Sequence, residues 1–248
     1  VAGAAHVSTD DILGHDLFLY NRESASIWGA DEEFISAPQL DDLQCAFSSM
    51  KGFLYGEKNN YLALHCVFDN EEVGSGTKQG AASTFLRDTL QRIHEVLGYD
   101  CEDYRIHLAN SLMFSADNAH AVHPHHPQKT DATNCVYMNE GIVVKSHAGQ
   151  KYTSDAVSIA VFKDLCKKAN VPVQFFANRS DEAGGSTLGN IAMAQVSMNS
   201  VDIGLPQLAM HSTYETAGIK DTYYMIQVMT EFFNCHISEI NTNVLKVD

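Results

Sequence analysis

Five carboxylates and one imidazole follow short apolar runs in four separate segments of the chain. They are Asp41, Asp42, Glu71, Glu72, Asp117 and His211. Each stands just after a predicted strand or at a predicted helix start, where an α/β sheet collects its chemistry. Because carboxylates repel one another and lose hydration when they are gathered, we expect divalent cations to neutralise such a group. The residue types therefore predict a metal site.

Each of these residues also has an interpretation that involves no metal. The aspartates at the start of the helix predicted for 42–55 could accept a backbone N–H as helix N-caps. The two adjacent glutamates could lie in a solvated turn, Asp117 could cap a turn, and His211 could be a hydrogen-bonded core histidine. These alternatives remain open from the sequence, because each residue taken singly fits them.

A second histidine-rich segment gives a weaker signal. His123, His125 and His126 lie close together, but Pro124 and Pro127 interrupt them. We interpret this segment as an irregular loop and not as a metal site. No H-E-x-x-H helix occurs in the sequence, which excludes the single-zinc metalloprotease arrangement.

Composition limits the partners and the compartment. The net charge of −15, from 31 acidic and 16 basic residues, argues against nucleic acid or an anionic membrane as partner. Six cysteines occur without a C-x-x-C pair, which predicts free thiols in a reducing compartment and hence a cytoplasmic location. No apolar stretch approaches the roughly 18–20 residues of a membrane span, and we identify no secretory leader.

Short apolar runs alternate with longer amphipathic stretches. The predicted strands are 16–21, 61–68, 111–115, 141–145, 172–177, 201–203 and 208–210, and the predicted helices are 42–55, 80–97, 155–169, 188–197 and 221–233. The run at 61–68 is apolar on both faces apart from His65, as expected of a central strand. The alternation predicts an α/β fold with helices on both faces of one sheet. At 248 residues we expect one domain.

Six sequence strings, in order along nearly the whole chain, resemble the aspartyl aminopeptidase family, the M18 metallopeptidases. They are Phe34–Asp42, Asp69–Ser75, Ser115–Pro124, Gly141–Lys145 with Gln150–Tyr152, Arg179–Asp181 with Gly185–Thr187, and Pro206–Ser212. The resemblance implies a three-layer α/β/α sandwich with a mixed, largely parallel central sheet, of the zinc-dependent exopeptidase type. It also implies a peptide substrate and a homo-oligomer built from dimers.

The resemblance also implies roles for the metal ligands. Asp41 matches the carboxylate that bridges two metal ions, Glu72 and His211 match the other ligands of one ion, and Asp117 matches a ligand of the second. Such ligands suit zinc, and manganese or cobalt would also be accepted.

Four further positions match the reacting and substrate-binding groups of the family. Glu71 matches the general base and His120 a group near the reacting carbonyl, while Lys145 and Tyr152 match the substrate pocket. Glu71 and Glu72 can take different roles, because consecutive side chains leave an extended backbone in opposite directions. Lys145 could pair with an acidic N-terminal residue of the substrate, although neutral or apolar residues also stay possible.

The chain departs from the family in two features. The family carries an H-x-D motif, whose histidine binds the second metal, and an inserted β-rich dimerisation domain; neither occurs in the 248 residues. The resemblance implies that both would lie upstream of Val1. We therefore expect this segment to bind one metal well and the second weakly, with little peptidase activity alone. A non-catalytic member with an assembly role, or another two-metal amide hydrolase such as a deacylase, remains an alternative.

Overall fold

A computed structural model of the protein describes residues 1–57, 61–241 and 244–247. Its α-helices there are α1 (Ala2–Ala5), α2 (Leu40–Tyr55), α3 (Phe85–Val96), α4 (Cys101–Ala109), α5 (Ala156–Lys168), α6 (Leu188–Met193) and α7 (Ile219–Asn234). Short 3-10 helices lie at Thr9–Asp11, Glu71–Val73 and Pro127–Lys129. None of the helices in the described residues has the length and apolar character needed to cross a bilayer.

The strands form three sheets. They are β1 (Ser26–Trp28), β2 (Phe34–Ala37), β3 (Leu112–Ala116), β4 (Ala119–His120), β5 (Ile142–Ser146), β6 (Val173–Ala177), β7 (Asn199–Gly204), β8 (Pro206–Leu208), β9 (Glu215–Gly218), β10 (Ile237–Asn241) and β11 (Val244–Val247). The sheet orders are β3-β7-β5-β6, β1-β2-β9-β8-β4 and β10-β11. In the first sheet β3 pairs with β7 and β5 with β6 in parallel, whereas β5 and β7 are antiparallel.

Strand β5 is buried on both faces. Ile142 and Val144 belong to a large core with residues of α5 and α7, whereas Val143 packs on the other face with Tyr152 and Phe176. Alternate side chains of a strand point to opposite faces, so both faces of this sheet are covered. The predicted α/β class and the mixed sheet are confirmed.

Several predicted elements agree closely with the structure. The helix predicted for 155–169 is α5, and the strands predicted for 111–115, 141–145, 172–177 and 201–203 are β3, β5, β6 and β7. The helix predicted for 80–97 begins only at Phe85, and the one predicted for 188–197 ends at Met193. At 208–210 the prediction is displaced, since β8 ends at Leu208.

Two predicted strands are wrong. Residues 16–21 and 62–68 run without strand pairing in the described part of the chain. A strand is stabilised by cross-strand neighbours, and an apolar composition alone does not supply a partner. Leu62 and Val67 are consequently 52% and 59% exposed, whereas the apolar composition of 61–68 predicts a buried central strand.

The chain crosses between the two larger sheets through very short links. Strands β7 and β8 are separated by Leu205 alone, which is fully buried. Segments that follow β3 in one sheet and β8 in the other are thereby brought together. The candidate site therefore lies where two sheets join, whereas the sequence predicts a site along one edge of one sheet.

Candidate metal centre

Three of the predicted ligands converge on one point. One ligand atom each from Asp41, Glu72 and His211 lies within 4.8 Å of the others. The Nε2 atom of His211 lies 3.0 Å from Oε2 of Glu72 and 3.2 Å from Oδ2 of Asp41. Ligands at the usual bond lengths of a tetrahedral zinc ion would be about 3.3 Å apart. The spacing of these three donors therefore fits one zinc ion.

Local backbone conformations bring the three side chains to this point. Asp41 stands in the non-helical first turn of α2, after Gln39 with φ of 61°. Glu72 lies in the 3-10 helix that follows Asn70, with φ of 58°, and His211 itself has φ of 66° in the turn after β8. Three separate left-handed turns thus direct chain segments of distant sequence toward one site.

Asp41 supplies a further indication of a missing partner. Its side chain is only 4% exposed, and its Oδ1 atom has no hydrogen-bond partner among the described residues. A buried oxygen of this kind calls for an explanation, such as an ion. His211, by contrast, is 66% exposed at its side chain, so it is not the core histidine considered above.

The carboxylates of the site raise one another's pKa. Burial raises the pKa of Asp41 strongly, and the charges of Asp117 and Glu72 add to the effect. Burial, followed by the charge of Asp117, raises the pKa of both Glu71 and Glu72 to about 7. Burial also raises the pKa of Asp42 to about 6. A divalent cation would favour the ionised forms of these carboxyl groups, so the acidic group fits a metal ion.

Asp117 lies beside the three ligands but engages a lysine. Its Oδ2 atom accepts a hydrogen bond from Nζ of Lys145 at 3.2 Å, and both side chains are largely buried. Asp117 also contacts the carboxyl group of Asp41. The lysine reaches it across Gly204, where an added Cβ would touch the Lys145 side chain. The structure therefore places Asp117 next to the three-ligand group and not within it.

Lys145 is charged despite its burial. Burial is the largest single influence and would lower the pKa of Lys145, but the interaction with Asp117, together with those with Tyr152, Asp202 and Cys45, outweighs burial and raises that pKa above its ordinary value. The ammonium group also lies 5.8 Å from the ring centroid of Tyr152. Tyr152 is buried, and burial raises the pKa of its hydroxyl. The two predicted pocket residues are thus neighbours.

Glu71 and His120 complete the predicted set. Glu71 precedes Glu72 within a 3-10 helix, so the expectation of an extended backbone at this pair is wrong. Successive residues of a 3-10 helix still differ by about 120° around its axis, which separates the two side chains. Desolvation lowers the pKa of His120, and the charges of Lys145 and His211 add to this. His120 therefore stays neutral to lower pH than a histidine whose pKa is not lowered.

The predicted site residues do not include a buried network that lies behind the ligands. Glu215 accepts hydrogen bonds from the backbone N–H groups of Asp41 and His211, at 2.9 and 2.7 Å. Gln207 and Asn118 continue the network from Glu215. In the sequence an isolated glutamate after a turn has the appearance of a surface residue, so no signal short of the tertiary structure identifies it.

Comparison with known proteins identifies the family of the chain. A family profile described as "Aminopeptidase I zinc metalloprotease (M18)" matches residues 1–233. The chain is 47% identical over 234 residues to "Probable M18 family aminopeptidase 2" of Clostridium novyi (strain NT), covering 94% of this chain and 54% of that protein. It is 37% identical over 233 residues to "Aspartyl aminopeptidase 1" of Schizosaccharomyces pombe, covering 92% and 49%.

A solved structure extends the similarity to three dimensions. The S. cerevesiae mApe1 dodecamer has a TM-score of 0.78 at 28% identity, covering 94% of this chain and 53% of that one. The chain spans about half the length of the curated relatives it matches. Sequence, fold and the convergence of Asp41, Glu72 and His211 agree: the chain belongs to the M18 aminopeptidase family.

Proposed function

We propose that the protein containing this chain is a metal-dependent aminopeptidase, which hydrolyses the first peptide bond of a peptide and releases its N-terminal residue. The observation that carries the proposal is the three-ligand group of Asp41, Glu72 and His211, with Glu71 beside it. A ligand set with a second, adjacent carboxylate suits hydrolysis, because one group holds the ion while the other moves protons.

The chemistry divides among the residues of the site. A bound zinc ion would polarise the scissile carbonyl and lower the pKa of a coordinated water. Burial raises the pKa of Glu71 to about 7. Glu71 is therefore suited to accept the proton of that water near neutral pH and to pass it to the leaving amine. His120 can donate a hydrogen bond toward the developing oxyanion. Tyr152 can help to line the pocket for the substrate.

We propose that a second divalent ion binds between Asp41 and Asp117. Two observations support this second position. The Oδ1 atom of Asp41 has no hydrogen-bond partner among the described residues, and the carboxyl group of Asp41 as a whole contacts Asp117. The resemblance gives this ion a further histidine ligand from an H-x-D motif, which does not occur in these 248 residues, so we expect one tight and one weak site in this segment. Manganese or cobalt could replace zinc, because carboxylate and imidazole ligands accept them.

The substrate preference proposed is for N-terminal Asp or Glu, and Lys145 is the residue that would recognise the acidic side chain. One relative is named an aspartyl aminopeptidase. In the structure Lys145 is already bonded to Asp117. Binding of an ion to Asp117 would free the ammonium group for a substrate carboxylate. Replacing a lysine that pairs with a buried substrate charge costs about 2–5 kcal/mol of binding.

The test of the function combines metal binding and substrate hydrolysis in the full-length protein. Zinc titration by calorimetry should give tight binding that His211→Ala removes. Glu71→Gln should keep zinc but lose most of the hydrolysis of aminoacyl-nitroanilides. A protein that hydrolyses N-acyl amides instead of aminoacyl-nitroanilides would be a deacylase, and one that binds zinc without hydrolysing either would refute the enzymatic proposal.

The acidic preference has its own control. Lys145→Ala in the full-length protein should reduce hydrolysis of aspartyl and glutamyl substrates far more than that of leucyl substrates. Equal losses with acidic and with leucyl substrates would show that Lys145 does not bind the acidic side chain.

We further propose that the protein is a homo-oligomer built from dimers, as the dodecamer named for one structural relative suggests. All six cysteines are unpaired, which supports the proposed cytoplasmic location. Analytical ultracentrifugation of the full-length protein would measure the assembly directly.

A further inference from the structure

Glu215 is a buried carboxylate at the first position of β9. It is 2% exposed. Its two oxygen atoms serve different parts of the chain. The Oε2 atom accepts the backbone N–H of Asp41 at 2.9 Å, and the Oε1 atom accepts the backbone N–H of His211 at 2.7 Å. One side chain therefore holds the main chain of two of the three residues that form the zinc group.

The turn that carries His211 needs such support. His211 and Ala209 both have positive φ angles, of 66° and 57°. A residue other than glycine is strained in this region and persists there only where the surroundings hold it. Hydrogen bonds to a charged acceptor are the strongest available to a backbone N–H. The carboxylate of Glu215 is thus suited to fix the turn that presents the His211 ring.

The same carboxylate is linked to the fourth predicted ligand. Nε2 of Gln207 donates to Oε1 of Glu215 at 3.4 Å, while Oε1 of Gln207 accepts from Nδ2 of Asn118 at 2.6 Å. Asn118 directly follows Asp117, and its Nδ2 atom also donates to Oε1 of Gln44 in α2 at 3.0 Å. Gln207 is fully buried and Asn118 is 2% exposed.

We propose that Glu215 is a positioning residue for the metal centre, which holds the main chain at Asp41 and His211 and, through Gln207 and Asn118, the segment of Asp117. The proposal rests on the metal-binding function inferred above, and it assigns a specific role to a residue that touches neither the ion nor the substrate. Groups that orient metal ligands from behind typically change metal affinity or activity by about 10- to 100-fold when they are altered.

The test substitutes Glu215 while keeping its size. In Glu215→Gln one oxygen is replaced by an amide NH2, which would face a backbone N–H as donor against donor. We expect zinc affinity in the full-length protein, measured by competition with a chromogenic chelator, to fall about 10- to 100-fold. We also expect kcat to fall while KM changes little, because the substrate pocket is not altered.

A matched control separates positioning from general stability. Asp221 also carries a fully buried carboxyl group that accepts two backbone N–H groups, from Asn139 and Gly141. It has no hydrogen bond to the predicted ligands among the described residues. Asp221→Asn should leave zinc affinity within about twofold of the wild type, whatever it does to the melting temperature.

A second substitution keeps the proposal testable if Glu215→Gln fails to fold. Glu215→Asp retains the charge, but its side chain is one methylene shorter and cannot reach both N–H groups. It should lose zinc affinity to an intermediate degree. Zinc affinity of Glu215→Gln or, failing that, Glu215→Asp equal to that of Asp221→Asn would overturn the positioning role.

The outcomes also distinguish this inference from the proposed function. If His211→Ala does not weaken zinc binding, the metal centre itself is misassigned and the proposed function fails. If His211→Ala abolishes tight zinc binding while the Glu215 variants bind zinc as the wild type does, only the positioning role fails.

Discussion

Replacement of Lys145 should destabilise the protein through the carboxylate that it leaves behind. Nζ of Lys145 and Oδ2 of Asp117 are 3.2 Å apart, and their side chains are 4% and 13% exposed. In Lys145→Met a hydrophobic chain of similar length fills the space, but Asp117 remains buried without its counter-charge. Removal of one partner of a buried ion pair costs about 3–5 kcal/mol. We expect a loss of this size in the metal-free protein.

The double variant isolates the cause. In Lys145→Met with Asp117→Asn no unpaired charge is left, so most of the lost stability should return, because replacing both partners of a buried pair is often near neutral. Lys78→Met, at an exposed lysine, serves as control and should change the free energy of unfolding by less than about 0.5 kcal/mol.

The measurement is urea unfolding followed by circular dichroism, with divalent ions chelated. If Lys145→Met lowers the free energy of unfolding by less than about 1 kcal/mol, the pair behaves as a surface salt bridge and the reasoning from burial is refuted. If the double variant is as unstable as the single one, the loss comes from packing and not from the orphaned carboxylate.

Three further predictions concern other groups. Burial raises the pKa of Asp221 to about 7, so as pH rises from about 4 to 7 the unfolded state releases a proton that the folded state keeps. Over that range the free energy of unfolding of the wild type should fall by on the order of 4 kcal/mol relative to that of Asp221→Asn. Thermal denaturation of both proteins at each pH would test this. Gly52→Ala should cost about 1–3 kcal/mol of unfolding free energy by denaturant titration, because the added Cβ would collide with Met229 of α7. Zinc binding at pH 7 should release protons from Glu71 and Glu72, whose pKa values are about 7; calorimetric heats independent of the buffer's ionisation enthalpy would contradict this.

Long amphipathic helices were predictable because the necessary signals are local. Asp155 caps α5 and exchanges hydrogen bonds with Ser158, and the buried face follows with helical spacing. The helix α4 has a similar cap at Asp100, but its apolar residues form no clear face, so periodicity does not predict it. Periodicity identifies a helix only where one side of it is buried.

The short antiparallel strands were not predictable for a different reason. Strand β1 has three residues, all exposed, and β9 has four. Pairing with β2 defines both of them, and the propensity of so few residues is outweighed by tertiary context. Conversely, 61–68 has the composition of a central strand but lacks a partner in the described residues.

The ligand types of the site could be read from the sequence, but their geometry could not. Asp41, Glu72 and His211 were expected at one ion, and the structure brings these three together. The bond between Lys145 and Asp117 was not expected, because it depends on Gly204 leaving room between two strands. Long-range contacts of this kind have no signature in local spacing.

The acidic group and its left-handed turns have one physical explanation in common. Gln39 and His211 hold positive φ angles near the site, and the carboxyl groups of Asp41 and Glu72 hold raised pKa values within it. Each feature destabilises the metal-free protein. Strain and charge repulsion at the same place are tolerated when the surrounding core fixes the segments, as Glu215 does here. An ion that neutralises the carboxylates would therefore remove repulsion that destabilises the metal-free protein. Because the ligands are already held in place, this favours tight binding without a large rearrangement.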